Sequence, residues 1–285
     1  MSDEKSLKYN EPWILQRADP YVYRHTDGSY YFTASVPAYD GIVLRRAGTL
    51  AELSGAEEVM VWKKHESGPM SYHIWAPEIH YLFGKWYIYF AGGEAEDIWK
   101  IRPYVLECSG DDPLTDEWVE LGKMKRAAED EFSFEAFSLD ATVFENKGEY
   151  YYVWAEKVGV GKMISNLYIA KMESGNQLKT VQVLLTTPDY DWERKGFWVN
   201  EGPAVIHHDG KMFLTYSASE TGVDYCVGML SIDEDADILD PRLWKKERYP
   251  VLKTCEKLGI YGPGHNSFTV DEDGNDVMVY HARTE

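Results

Sequence analysis

Five stretches of this 285-residue chain follow one plan: "ADPYVYRHTDGSYYFTAS", "WAPEIHYLFGKWYIYFAG", "LDATVFENKGEYYYVWAE", "NEGPAVIHHDGKMFLTYSAS" and "GHNSFTVDEDGNDVMVYHAR". Each has a short apolar strand, a glycine-containing turn, and a second strand rich in β-branched and aromatic residues, the pattern of a β-hairpin. The turn glycines, Gly28, Gly84, Gly148, Gly210 and Gly274, lie 56, 64, 62 and 64 residues apart. Unrelated hairpins would not keep that period, so the chain is read as one unit built five times.

The first four hairpins are each followed by a third strand, "GIVLRRA", "YVLECSG", "NLYIAKM" and "YCVGMLSI". A fourth strand then follows, "VMVWK", "WVELGKM", "VQVLLTT" and "YPVLKT". Four-stranded sheets repeated at such a period are the blades of a β-propeller. The sequence therefore predicts an all-β, five-bladed propeller occupying residues 1–285 as a single domain. Its fifth blade is incomplete as the chain stands, and "PWILQR" is expected to pair into it as a closing strand. Helix signals are confined to "TLAELSGAEEV" and "EDADILDPRLW", both between third and fourth strands.

In a propeller the first strand of every blade lines the central channel, and the five inner strands run in the same direction. Their entrances share one rim. Counting back eight or nine residues from each turn glycine gives Asp19, Trp75, Asp140, Glu201 and His265. Alone, either aspartate would read as a turn or cap residue satisfying backbone N–H groups, and Glu201 as an exposed loop carboxylate. In five-fold register they become three carboxyl groups, an aromatic ring and an imidazole at one mouth. There, like charge and partial desolvation shift protonation. The second strands return to the same rim and bring Ser35, Gly92, Glu156, Ser219 and Arg283, with Phe32 expected to add an apolar wall. Two carboxyl groups flanking a bond, one protonated and one ionised, are what glycosidic cleavage requires.

Composition removes other classes. With 48 acidic against 29 basic residues and net charge −19, the surface repels nucleic acid and anionic membranes. The start "MSDEKSLKYNEPWIL" shows no basic region followed by an apolar one. Cys108, Cys226 and Cys255 lie far apart without metal-ligand spacing, which fits free thiols. A cytoplasmic enzyme finishing imported oligosaccharides is the resulting expectation, with oligomeric state open.

At these same residues the sequence resembles glycoside hydrolase family 43, over nearly the whole chain. The resemblance implies a five-bladed propeller and an inverting mechanism. "ADPYVY" resembles the motif of the general base, placing that role on Asp19; "SLDATVF" resembles that of the pKa-modulating aspartate, Asp140; "NEGPAV" resembles that of the general acid, Glu201. "IWAPEI" is similar to the segment whose aromatic, here Trp75, walls the sugar subsite. "GPGHNSF" is similar to the segment whose histidine, here His265, helps hold a calcium ion through water in many members. Arg283 is expected to hold a substrate hydroxyl, and no organic cofactor is implied. Within the family the chain looks most like α-L-arabinofuranosidases acting on arabinan or arabino-oligosaccharides. β-Xylosidases and endo-arabinanases share the carboxylates, and a carbohydrate-binding propeller without turnover is the rival outside catalysis.

Overall fold

A computed structural model describes residues 9, 11–160 and 162–284. Among them strands dominate, and the helices are four single turns of 3₁₀ type, at Ala51–Ser54, Asp191–Glu193, Pro241–Leu243 and Glu256–Leu258. The first sheet is β1 (Ala18–Arg24), β2 (Tyr30–Ser35), β3 (Gly41–Ala47) and β4 (Val59–Lys63), paired in chain order. The second repeats that order with β5 (Tyr72–Leu82), β6 (Lys85–Glu94), β7 (Asp97–Cys108) and β8 (Val119–Lys123).

The third and fourth repeats fuse. β9 (Ser138–Asn146), β10 (Glu149–Val160) and β11 (Lys162–Ser174) pair in sequence, and β12 (Gln177–Leu178) and β13 (Val183–Thr186) both pair with β11. β14 (Trp198–His208) then adds to β11 in parallel through Ile164 and Ser165, carrying β15 (Lys211–Ala218), β16 (Cys226–Asp233) and β17 (Lys245–Lys246) into one nine-stranded sheet. β18 (Tyr261–Val270) and β19 (Asp276–Arg283) form a two-stranded sheet.

Two expectations are corrected. "YPVLKT" is not a strand: Pro250 has no N–H for a ladder, and the segment touches β16 through a single bridge at Leu252 while β17 takes the pairing position. "PWILQR" is also not a strand; Trp13 and Ile14 instead pack on a core with Val22, Tyr30, Phe32, Val277 and Val279. Asp130, inside the acidic stretch "EDEF", is buried and accepts from the N–H groups of Phe132, Ser133 and Gln182.

The core lies between sheets. One cluster joins Ile42 and Leu44 of the first sheet to Ile79, Ile88 and Leu106 of the second. Another joins Tyr89 and Val105 to Tyr152, Trp154 and Ala170, and a third joins Val153 and Ile169 to Leu214 and Leu230. Strands buried on both faces read as continuous apolar runs, as "WYIYFAG" does. Packing between inner strands runs in a cycle, β1 with β5, β5 with β9, β9 with β14, β14 with β18, and β18 with β1. Last and first sheets are also stitched by Tyr30 Oη donating to the Val270 carbonyl (2.8 Å) and Ser267 Oγ donating to the Pro20 carbonyl (2.8 Å). The inner strand entrances, far apart in sequence, therefore meet.

Candidate active site

Every inner strand is broken at the same place. The registers of β1, β5, β9, β14 and β18 against their partners all slip near the entrance. At the slip beside each entrance residue one position takes left-handed backbone: Asp19 (φ 55°), Ala76 (φ 46°), Asp140 (φ 53°), Gly202 (φ 54°) and His265 (φ 43°); β5 and β18 slip a second time, at His73 (φ 50°) and Gly262 (φ 53°). Such bulges bend a strand and re-aim its side chains. Three carry the functional group on the bulged residue itself; in the second and fourth repeats it sits one residue earlier, on Trp75 and Glu201.

The three carboxyl groups converge. His265, buried, holds its Nδ1 3.1 Å from Oδ1 of Asp19 and 3.7 Å from Oδ2 of Asp140. The N–H of Gly202, adjacent to Glu201, donates to Oδ2 of Asp140 (3.2 Å). Asp19 accepts from the Ser35 hydroxyl (2.5 Å), and its own N–H donates to Nδ1 of His281 (3.0 Å). Ser35 Oγ also accepts from the N–H of Ala76 (2.8 Å), joining the first two repeats at the rim. The Tyr225 hydroxyl donates to Oε1 of Glu201 (2.9 Å), and its ring stacks on His281 with centroids 5.7 Å apart.

Burial and like charge set the protonation. Desolvation first, and Asp140 second, push the Glu201 carboxyl up to about 8, against the opposing Tyr225 hydrogen bond. Asp140 is also raised well above the usual carboxylate range, by burial and then by Asp19, with the Gly202 N–H opposing. Two neighbouring groups that both resist ionisation make a site able to hold a proton near neutral pH and release it to a developing oxyanion.

Beneath this trio lies a second titratable layer. Glu78 Oε2 sits 2.9 Å from Nε2 of His80, whose Nδ1 is 3.2 Å from the Tyr21 hydroxyl. Burial raises Glu78 to about 8 and lowers His80 to about 3.

Two expected residues lie elsewhere. Phe32 is 1% exposed and packs in the core against Trp13, with ring centroids 6.3 Å apart. Ser35 faces Asp19, and a residue three positions away on a strand points to the other face. Arg283 is exposed and donates to the Thr221 carbonyl (3.4 Å); among the described residues no ion pair joins it to the three carboxyls. Glu156 and Ser219, also expected near the rim, satisfy backbone N–H groups of Phe134, Ala136 and Lys195. Tyr225, His281 and Glu78 escaped the sequence reading. His281 had a signal, since it lies two residues before Arg283 and so shares its side of β19.

For calcium the donors do not fit direct coordination. His265 turns its Nδ1 to Asp19, and among the described residues no group of three or more His, Cys, Asp and Glu side chains is arranged to hold a metal ion. Cys108, Cys226 and Cys255 are free, and burial pushes the Cys226 thiol up to about 12, which removes it as a nucleophile.

Residues 9–285 match the profile of Glycosyl hydrolases family 43. The chain belongs to this family. An extracellular exo-α-(1→5)-L-arabinofuranosidase of Streptomyces avermitilis is 50% identical over 98% of the chain, and the chain spans 57% of that relative's length. A protein of the same name from Streptomyces chartreusis is 49% identical over 96% of the chain and 82% of its own length. Among solved structures, an α-L-arabinofuranosidase from Lactobacillus brevis superposes with a TM-score of 0.90 at 51% identity, covering 97% of this chain and 86% of that one. Both Streptomyces family members are named extracellular, which overturns the cytoplasmic expectation; free thiols and the first fifteen residues do not report location.

Proposed function

We propose that this family 43 chain is a single five-bladed propeller, residues 1–285, that hydrolyses glycosidic bonds with inversion and releases α-L-arabinofuranose from arabinan or arabino-oligosaccharides. The cyclic packing of β1, β5, β9, β14 and β18 supports five blades, the last represented by β18 and β19. The observation that carries the chemistry is the meeting of Asp19, Asp140 and Glu201 around His265, with Glu201 raised to about 8.

In this mechanism Glu201, protonated at neutral pH, gives its proton to the departing glycosidic oxygen. The Tyr225 hydroxyl fixes one carboxyl oxygen, leaving the other to face the bond. Asp19, oriented by Ser35 and His265, takes a proton from the water that attacks the opposite face of the sugar. Asp140 holds the Gly202 N–H beside Glu201 and, through its charge, keeps the acid's proton in place. No step is routed through a metal. The sugar preference rests on the arabinofuranosidase names of relatives at about half identity.

Hydrolysis of an aryl α-L-arabinofuranoside, followed for wild type and Glu201→Ala, tests the reading. Wild type should release aglycone, with Glu201→Ala slower by about 10² to 10⁴-fold on an unactivated oligosaccharide and less on the aryl glycoside. Proton NMR of the first product should show the inverted anomer. A β-xyloside turned over faster than the arabinoside would replace the substrate; no release from either would leave a carbohydrate-binding propeller.

A further inference from the structure

Next to the carboxyl mouth stands a run of aromatic rings that the mechanism above does not use. Trp75 faces His73 with centroids 4.3 Å apart and planes 34° from parallel; His73 in turn faces Trp99 at 5.1 Å and 34°. Tyr72 meets His73 edge-on at 4.4 Å, and Tyr39 meets Trp75 edge-on at 5.9 Å. The rings come from three places: the β2–β3 turn, the start of β5 and the start of β7. Their outer members stand in solvent, with Trp99 61%, Tyr72 40% and Tyr39 39% exposed.

Packing alone does not account for this group. A core would cover Trp99, and scattered surface aromatics would not gather as three mutual neighbours, Trp75 and Trp99 themselves lying 6.4 Å apart. The backbone is also strained to present the rings: Tyr39 and His73 both sit at φ 50°, and Ala76, just past Trp75, at φ 46°. Non-glycine residues hold left-handed backbone only where surrounding structure imposes it, and such residues cluster at binding sites. The ledge is also uncharged. Burial pulls His73 below its usual pKa, and its buried Nε2 has no protein partner, so the ring cluster is held by ring contact.

The ledge is continuous with the mouth. The N–H of Ala76 donates to the Ser35 hydroxyl, which in turn donates to Asp19. Flat, neutral rings tied to the carboxyl trio through Ala76 and Ser35, with Trp99, Tyr72 and Tyr39 reaching solvent, suit the apolar faces of uncharged sugar rings. An acidic polymer would be repelled by a chain of net charge −19.

We infer that Tyr39, Tyr72, His73, Trp75 and Trp99 form a platform for the sugar rings on the leaving-group side of the scissile bond, making the enzyme selective for oligosaccharides over short aglycones. The inference rests on the glycosidase reading. An enzyme that removes one terminal sugar has chain only on the leaving-group side, and Trp99, the most exposed ring of the group, is the one free to meet that chain.

The test compares kcat/KM for a linear α-1,5-linked arabinotriose and an aryl α-L-arabinofuranoside, in wild type, Trp99→Ala and Trp99→Phe. The ratio of oligosaccharide to aryl kcat/KM should fall about tenfold in Trp99→Ala, the worth of one stacking contact, and return most of the way in Trp99→Phe. An unchanged ratio overturns the platform. A fallen ratio with the labelled monosaccharide as the first labelled wild-type product from reducing-end-labelled arabinotriose overturns its placement on the leaving-group side. If wild type cleaves neither substrate, the catalytic reading fails by itself. Calorimetric titration of arabinotriose into Glu201→Gln, with and without Trp99→Ala, then decides the platform: a Kd weaker by about tenfold upholds it, and an equal Kd sinks it.

Discussion

Each inner hairpin passes through left-handed backbone at both of its ends, and the two ends use that conformation differently. At the tips stand Gly28, Gly84, Gly148, Gly210 and Gly274, with φ between 72° and 90°, and a Cβ added to any of them would meet nothing within 4 Å. At the mouth stand Asp19, Ala76, Asp140, Gly202 and His265, with φ between 43° and 55°. Glycine takes this region without steric cost, whereas other residues pay roughly 1–2 kcal/mol. The tip needs only a turn, and a glycine stands in every one, preceded at three tips by a left-handed Phe83, Lys147 or Asp209 that completes the two-residue turn. Four of the five mouth positions keep a side chain in spite of the strain, and three of those side chains form the proposed site. At the tips a left-handed non-glycine residue only completes a turn, whereas at the mouth the register of strained positions marks the chemistry.

The largest effect that would sharpen this contrast is expected at Asp140. Asp140→Asn keeps the size of the side chain but removes the charge that helps hold the Glu201 proton. kcat should fall about 100-fold. The wild-type rate should decline as pH rises through about 8, where Glu201 loses its proton, and in Asp140→Asn that alkaline limb should move to lower pH. Stability carries the same sign. The folded chain keeps a proton that the unfolded chain releases near 4.5, so stability is greatest below that value and is lost as pH rises toward about 8. Melting curves of wild type and Asp140→Asn should therefore diverge at pH 8, with the variant higher, and draw together near pH 5. An unmoved alkaline limb would show that Asp140 does not govern the acid.

Much of this was legible in the sequence because it depends on period and parity. Alternating apolar strands with glycine tips located all five hairpins, and the constant distance from tip to entrance located Asp19, Asp140, Glu201 and His265. What failed, failed where the ladder departs from regularity. The bulges are set by backbone dihedrals, so nothing in the letters shows that Trp75 and Glu201 precede the left-handed residue while Asp19 and Asp140 occupy it. Phe32 was misplaced through parity, since three positions from Ser35 puts it in the core. The parallel joining of β11 to β14 involves two residue pairs and leaves no pattern to read. Tyr225, read as the first residue of the third strand "YCVGMLSI", lies just before β16 and reaches Glu201 from there, where no periodicity fixes a side chain's aim.

A smaller effect is expected at Gly202, the one mouth position that uses glycine as the tips do. A Cβ there would lie 3.1 Å from Cγ and 3.2 Å from Nδ1 of His265. Gly202→Ala should push His265 away from Asp19 and Asp140 and loosen the N–H that Asp140 accepts. kcat/KM on the aryl arabinofuranoside should fall about tenfold, and the protein should lose about 2 kcal/mol through backbone strain and crowding together. Full activity in this variant would mean that the position of His265 is unimportant to the carboxyls.

Gly148→Ala is the matched control and the smallest effect. Its backbone, at φ 78°, is left-handed like that of Gly202, so the new methyl meets the same intrinsic penalty of about 1 kcal/mol. It would point into open space, at the end of the hairpin away from Asp140. The melting temperature should drop by about 2 °C for a chain of this size, and kcat/KM should stay at the wild-type value. Because the substitution and the backbone region are shared with Gly202→Ala, whatever Gly202→Ala loses beyond this belongs to contact with His265. If Gly148→Ala lost activity as well, strain at the tip would have to travel the length of β9 to the mouth, and the division of each hairpin into a turn end and a chemical end would fall.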